Sequence, residues 1–152
     1  MTETPASNPL KSWALVILQF SLLGTLLLLS EIRHACLPCW GLIIASGVLG
    51  SWAIIVMGHD NFNVRPDVKA DARLVHEHLP YTRIRHPMYT SVLLLALGLL
   101  LSPWSWLKLG LFAALLGVMS LKAAYEERLL LEKFPNYAAY QARTQRFIPF
   151  VY

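Results

Sequence analysis

"SWLKLGLFAALLGVMSLKAAYEERLLLEKF", residues 105–134, contains no proline and is rich in leucine and alanine, so nothing in it obliges a helix to stop. At about 1.5 Å of rise per residue it makes about 45 Å of helix, longer than the roughly 30 Å hydrocarbon core of a bilayer. From Leu107 to Leu121 it is apolar apart from Lys108 and Ser120, and Lys122, Tyr125, Glu126, Glu127 and Arg128 begin where hydrocarbon should end. The expectation is a helix that crosses a membrane and carries about its last three turns into water.

The rest of the chain agrees. Of 152 residues 56% are hydrophobic and 14% charged, an unusual balance for a soluble domain. Leu-rich runs also extend from Trp13 to Leu29, Leu37 to Met57 and Tyr89 to Leu101, each bounded by polar or Pro-containing punctuation. These predict one all-α integral membrane domain over 1–152, with four transmembrane helices at about 10–30, 37–57, 87–102 and 105–134. A loop over 58–89 and a helical tail over 135–152 complete it. The third run is the shortest, with Pro87 at its entrance, a residue suited to a first helical turn. The first run follows a segment with a single lysine and precedes no small-x-small site, so it is expected to be retained rather than cleaved as a signal peptide.

Orientation follows from the basic residues. Ten of the thirteen Lys and Arg fall in two segments: Arg65, Lys69, Arg73, Arg83 and Arg85 in the loop, and Lys122, Arg128, Lys133, Arg143 and Arg146 after the fourth apolar run. Alternating crossings put both segments on one side, and the positive-inside bias makes that side the cytoplasm, with both termini there. The net charge of +4 is then a matter of topology and of anionic lipid headgroups, and predicts no nucleic-acid partner.

Cys36 and Cys39, in "CLPCW", fall in the first exterior turn, where oxidation is permitted. Their spacing is that of a thiol-disulfide motif, yet the chain lacks the βαβ pattern that carries such motifs in redox enzymes. A structural disulfide or two idle thiols is the plainer reading. The "HEH" of residues 76–78, with His59 and His86, lacks the spacing of a metal site, and no metal is expected. Small residues Gly47 and Ser51, and Ala113 and Gly117, offer places for helices to approach. Beyond Pro135, "NYAAYQAR" predicts a short helix with Tyr137 and Tyr140 on one face. "TQRFIPFVY" then suits the interface or the protein surface.

Two polar clusters therefore share one face of the membrane. The positive-inside bias explains their arginines, but not the aromatics, the "DNFNV" of 60–64, or a Glu-Glu pair at the membrane exit. Together these residues resemble the isoprenylcysteine carboxyl methyltransferases and related phospholipid methyltransferases, integral membrane enzymes that use S-adenosylmethionine. The resemblance covers roughly residues 61–150. "NFN" at 61–63 is similar to an element before the family's cofactor loop. "RLVHEHLPYTRIRHPMY" at 73–89 is similar to its signature ending in Arg-His-Pro-x-Tyr. "YEERLLLEKFPNYAAYQARTQRFIPF" at 125–150 is similar to its tail, with Glu-Glu, Tyr-x-x-Tyr and a terminal proline.

The resemblance implies a cytoplasmic cofactor pocket made by the loop, the turn and the tail. Its cofactor contacts would be Leu74, Val75, His76, Tyr81, His86, Pro87, Met88, Tyr89 and Glu126. Catalytic roles would fall to Arg85 and to Lys122, which stands where the family has an acceptor-binding arginine. The residue types suit that chemistry. Methyl transfer from a sulfonium is an in-line displacement that asks for alignment and exclusion of water, without metal or covalent nucleophile. Aromatic faces such as those of Tyr81 and Tyr89 stabilise a sulfonium, and Glu126 offers an acceptor to ribose hydroxyls or an amino group. Pro87 turns His86 away from helical geometry and frees backbone groups for a ligand.

Three departures bear on the acceptor and on the loop. Leu79 and Ser91 stand where glycine is common, and Lys122 offers a point charge in place of an arginine fork, so a prenylcysteine carboxylate is not required as the substrate. The expected function is a membrane methyltransferase for a lipophilic or small acceptor. Its alternatives are a phospholipid N-methyltransferase or thiol S-methyltransferase of the same fold, and, in another class, a non-catalytic membrane or thiol-redox protein using Cys36 and Cys39. For Lys122 the plain alternative is an i, i+4 pair with Glu126.

Overall fold

A computed structural model of the chain describes residues 8–69, 73–74 and 78–148, apart from the side chains of 59 and 60. Among them the protein is all-helical: α1 Pro9–Leu28, α2 Leu37–Asn61, α3 Pro87–Leu100, α4 Trp106–Lys133 and α5 Tyr137–Ala142, with a 3-10 turn over Ile32–His34. The starts are set by local chemistry. Asn8 accepts from the backbone N–H of Leu10 and Lys11 and is followed by Pro9; the Cys36 sulfur accepts from Cys39 N; Ser105 accepts from Lys108 N. Gly58, with φ 75° and ψ 158°, breaks α2 one residue beyond the end expected from the hydropathy, a conformation that L side chains rarely adopt.

Among the described residues three helices are long and apolar enough to cross a membrane: Pro9–Leu28, Leu37–Gly58 and Trp106–Lys133, of 20, 22 and 28 residues. Their outward faces are apolar, with Ile17, Leu28, Ile44, Val48, Ile55, Trp106, Leu107 and Leu121 all exposed on the isolated chain. Contiguous apolar surface of this kind belongs in lipid. The fourth expected span differs, since α3 has only 14 residues, about 21 Å of helix. Its far end is closed by protein. Leu99 O accepts from the buried Lys108 ammonium at 2.8 Å and from Ser30 Oγ at 3.0 Å, while Glu31 N donates to Ser102 O at 3.0 Å. A helix end whose carbonyls are met by side chains need not extend through hydrocarbon to hide them.

α2 packs on α3 and α1 on α4, and α3 also meets α4 and α1. The core between them gathers Leu15, Leu26, Ala96, Leu99, Leu115, Val118 and Met119. The close approach is not at the small residues expected. A Cβ on Gly47 or Gly117 would meet nothing within 4 Å, and Ser51 and Ala113 are exposed. Gly98 instead lies so near α2 that a Cβ would come within 2.9 Å of Ile43 Cγ1 and 3.1 Å of Cys39 O, and Gly50 faces Ser91. Sequence spacing marks small residues, whereas the helix rotation that chooses among them comes from packing. Cys36 and Cys39 are joined in a disulfide at the start of α2. The opposite end of the bundle gathers the start of α1, the end of α2, the start of α3 and the end of α4, tied by Asn8 N donating to Tyr125 Oη at 2.7 Å.

Candidate functional site

The Arg85-His86-Pro87 turn owes its shape to the tail. Residues 83–86 run parallel to 145–146: Arg85 N donates to Gln145 O at 2.8 Å, His86 N to Arg146 O at 3.1 Å, and Gln145 N to Arg83 O at 3.1 Å. Pro87 has no N–H to extend the pairing and starts α3 instead. Thr90 Oγ1 donates to Phe147 O at 2.8 Å, and the Phe147 side chain is buried. The described part of the tail therefore lies on the protein.

Glu127 locks this arrangement. Its carboxylate, 3% exposed, accepts from Arg85 Nε at 2.8 Å and Arg146 Nη2 at 2.7 Å, and lies 3.1 Å from His86 Nε2. Arg85 Nη1 also donates to the carbonyls of Gln141 and Thr144. Two guanidinium groups and an imidazole around one buried carboxylate make a charge-assisted network with its lone pairs occupied. The glutamate one place earlier points elsewhere, since successive helical residues diverge by about 100°. Glu126 Oε2 accepts from Tyr89 Oη at 2.7 Å and lies 3.7 Å from His86 Nδ1. His86 thus stands between the two carboxylates, stacked on Tyr89 with ring centroids 5.2 Å apart.

Glu126, Tyr89 and His86 line an open cleft of about 790 Å³, a volume that takes in the solvent at its mouth. Leu74, Tyr81, Pro87, Met88 and Arg85 line it too. Val75 and His76 lie outside the described residues, as does Glu77 of the "HEH" stretch. Lys122 is set apart from the cleft, 1% exposed between α4 and α1. Its ammonium donates to Gln19 Oε1 at 2.5 Å and Val64 O at 3.2 Å and lies 5.1 Å from the Tyr89 ring centroid. The i, i+4 alternative does not describe it, because its direct partners are Gln19 and Val64 rather than Glu126. The Asn-Phe-Asn stretch has a structural use: Asn61 exchanges two hydrogen bonds with the Arg73 backbone, and Asn63 caps the turn at Arg65 and Asp67. Both side-chain amides hold loop backbone beneath the cleft.

Several lining residues had no assigned role in the sequence: Met57, Asp67, Leu130, Tyr137 and Tyr140. The i, i+3 tyrosines were visible as a helical face, and their rings do meet, edge on, at 5.7 Å. Burial, aided by Glu126, raises the Tyr81 phenol well above its usual range; burial, aided by Glu127, does the same for Tyr137. Burial also raises Tyr140, against the pull of Arg85. All three stay neutral donors at physiological pH. Tyr81 gives its hydroxyl to Ala53 O and Tyr140 to Tyr81 O, so these two contribute ring surface to the cleft. Among the described residues the arrangement combines aromatic faces, the partly exposed carboxylate of Glu126 and ordered donors.

No protein-family model matches the chain, and no curated protein matches it.

Proposed function

We propose that the chain is an integral membrane methyltransferase that uses S-adenosylmethionine, with the cleft as the cofactor site and a lipophilic or small molecule as acceptor. The observation that carries this reading is convergence: Leu74, Tyr81, the turn from His86 to Tyr89, and Glu126, assigned from separated stretches of sequence, line one cleft. The donor set suits the cofactor. Tyr81 and Tyr89 present rings to a sulfonium, and Glu126, already oriented by Tyr89, accepts from amino or hydroxyl groups. When bound, the cofactor supplies an activated methyl group. The chain's residues hold it, align the acceptor and exclude water.

In this reading Arg85 is a positioning residue, because its guanidinium is committed to Glu127 and the tail. Lys122, buried between α1 and α4 with its ammonium 5.1 Å from the Tyr89 ring centroid, meets the polar end of an acceptor that reaches it past Tyr89, as a point charge that does not demand a carboxylate. α3 and its flanks complete a fourth crossing, and the loop and both chain ends lie on the cytoplasmic side. Reporters inserted near Val68 and after Tyr152 should then read cytoplasm and one near Leu37 the exterior; agreement between Val68 and Leu37 would sink the topology.

The direct test is calorimetric titration of detergent-purified protein with S-adenosylmethionine, which should give saturable binding at one site per chain. A folded sample that binds none would remove the function proposed. Supplying methyl-labelled cofactor to membranes, and asking whether label enters lipid, protein or a volatile product, identifies the acceptor class.

A further inference from the structure

Among the described residues two buried side-chain atoms have no hydrogen-bond partner, Tyr137 Oη and Asp67 Oδ2, and both residues line the cleft. A buried polar atom without a hydrogen bond is uncommon in folded proteins, and two of them in residues that line one cavity ask for a common explanation. Tyr137 is 1% exposed at the start of α5. Three residues on, Tyr140 gives its hydroxyl to Tyr81 O at 2.7 Å. One short helix therefore carries two tyrosines, one hydroxyl used by the fold and the other not. Asp67 is divided in the same way. Its Oδ1 accepts from Ser12 Oγ at 2.5 Å, while Oδ2 has Arg65 Nε 3.3 Å away without an aligned hydrogen bond.

We infer that Tyr137 and Asp67 are ligand-contacting residues of the cleft that meet opposite hydrogen-bonding groups of one molecule, a donor at Asp67 Oδ2 and an acceptor at the Tyr137 hydroxyl. This rests on the reading of the cleft as an adenosylmethionine site, and it adds two contacts that no motif assigned. The cofactor carries both kinds of group: amino and hydroxyl donors, and carboxylate and ring-nitrogen acceptors. A ligand held at both points bridges the loop after α2 and the tail after α4. The phenol remains protonated and so serves as the donor of its pair.

Tyr137→Phe removes only the unpartnered oxygen. Without ligand the variant should melt at or above the temperature of the natural protein, whereas Tyr140→Phe, which loses a made bond, should melt below it. Titrated with S-adenosylmethionine, Tyr137→Phe should bind about two- to tenfold more weakly. Asp67→Asn keeps an oxygen for Ser12 but turns a donor toward the ligand, and should bind about tenfold more weakly or worse. Unchanged affinity in either variant overturns the assignment of that residue while leaving the cofactor site standing. A Tyr137→Phe protein that melts as far below the natural one as Tyr140→Phe does would show a partner within the fold, and overturns it as well. No binding by the folded natural protein overturns the cofactor reading and this inference together.

Discussion

Glu127→Ala should destabilise the protein by about 3–5 kcal/mol, the cost of leaving buried charges without their counter-ion. The carboxylate it removes is the shared acceptor of Arg85, Arg146 and His86, and the side chains of Arg85 and His86 are only 9% and 5% exposed. Solvent therefore cannot take its place. The loss should also be directional. Residues 144–147 are held to the turn through these groups, so the tail should detach first and take Tyr137 and Tyr140 from the cleft. Glu127→Gln keeps the shape and one acceptor oxygen but gives up the charge, and should fall between, at about 1.5–3 kcal/mol. Thermal unfolding in detergent measures both. A Glu127→Ala protein within about 0.5 kcal/mol of the natural one, as an ordinary surface substitution would be, would mean that the network is ornamental.

Glu126→Gln should weaken adenosylmethionine binding by about ten- to a hundredfold with little change in unfolding temperature, the opposite of its neighbour's signature. The amide retains an oxygen for Tyr89 Oη, so the local hydrogen bond survives and the lost charge is what the titration reads. Lys122 gives the contrast. Lys122→Met keeps the buried stem but frees Gln19 Oε1 and Val64 O, so it should cost some stability, change cofactor affinity little, and lower turnover once an acceptor is known. Equal losses of affinity in Glu126→Gln and Lys122→Met would mean a single coupled pair, and undiminished binding in Glu126→Gln would take that residue out of the site.

The adjacent glutamates show how far the sequence could be read. "YEER" announced that carboxylates sit at the membrane exit, an unusual place for two of them. Which one faces a ligand and which faces the fold depends on the rotation of α4 relative to the turn at 85–87 and the tail at 141–146, and neither distance is encoded near residue 126. Arg85 stood for chemistry in the sequence because an arginine beside His-Pro is a motif, and it proved to be engaged by Glu127. Lys122 found its partner 103 residues away in Gln19, a polar residue inside an apolar run that the hydropathy simply absorbed.

What the sequence determined by itself was local: where helices begin and where α2 breaks, because Asn8, Ser105, Pro87 and Gly58 act on their own backbone within a turn, and which segments are apolar enough for lipid, because transfer of a run of side chains is nearly a sum over residues. The tertiary structure alone decided that Gly98 rather than Gly47 is the contact, that the end of α3 is closed by Lys108 and Ser30 on the Leu99 carbonyl, and that Tyr137 and Asp67, both lining the cleft, keep buried atoms without a hydrogen bond. Those outcomes turn on hydrogen bonds and contacts between elements whose strength depends on alignment to a few tenths of an ångström, and that alignment exists only after the helices have packed.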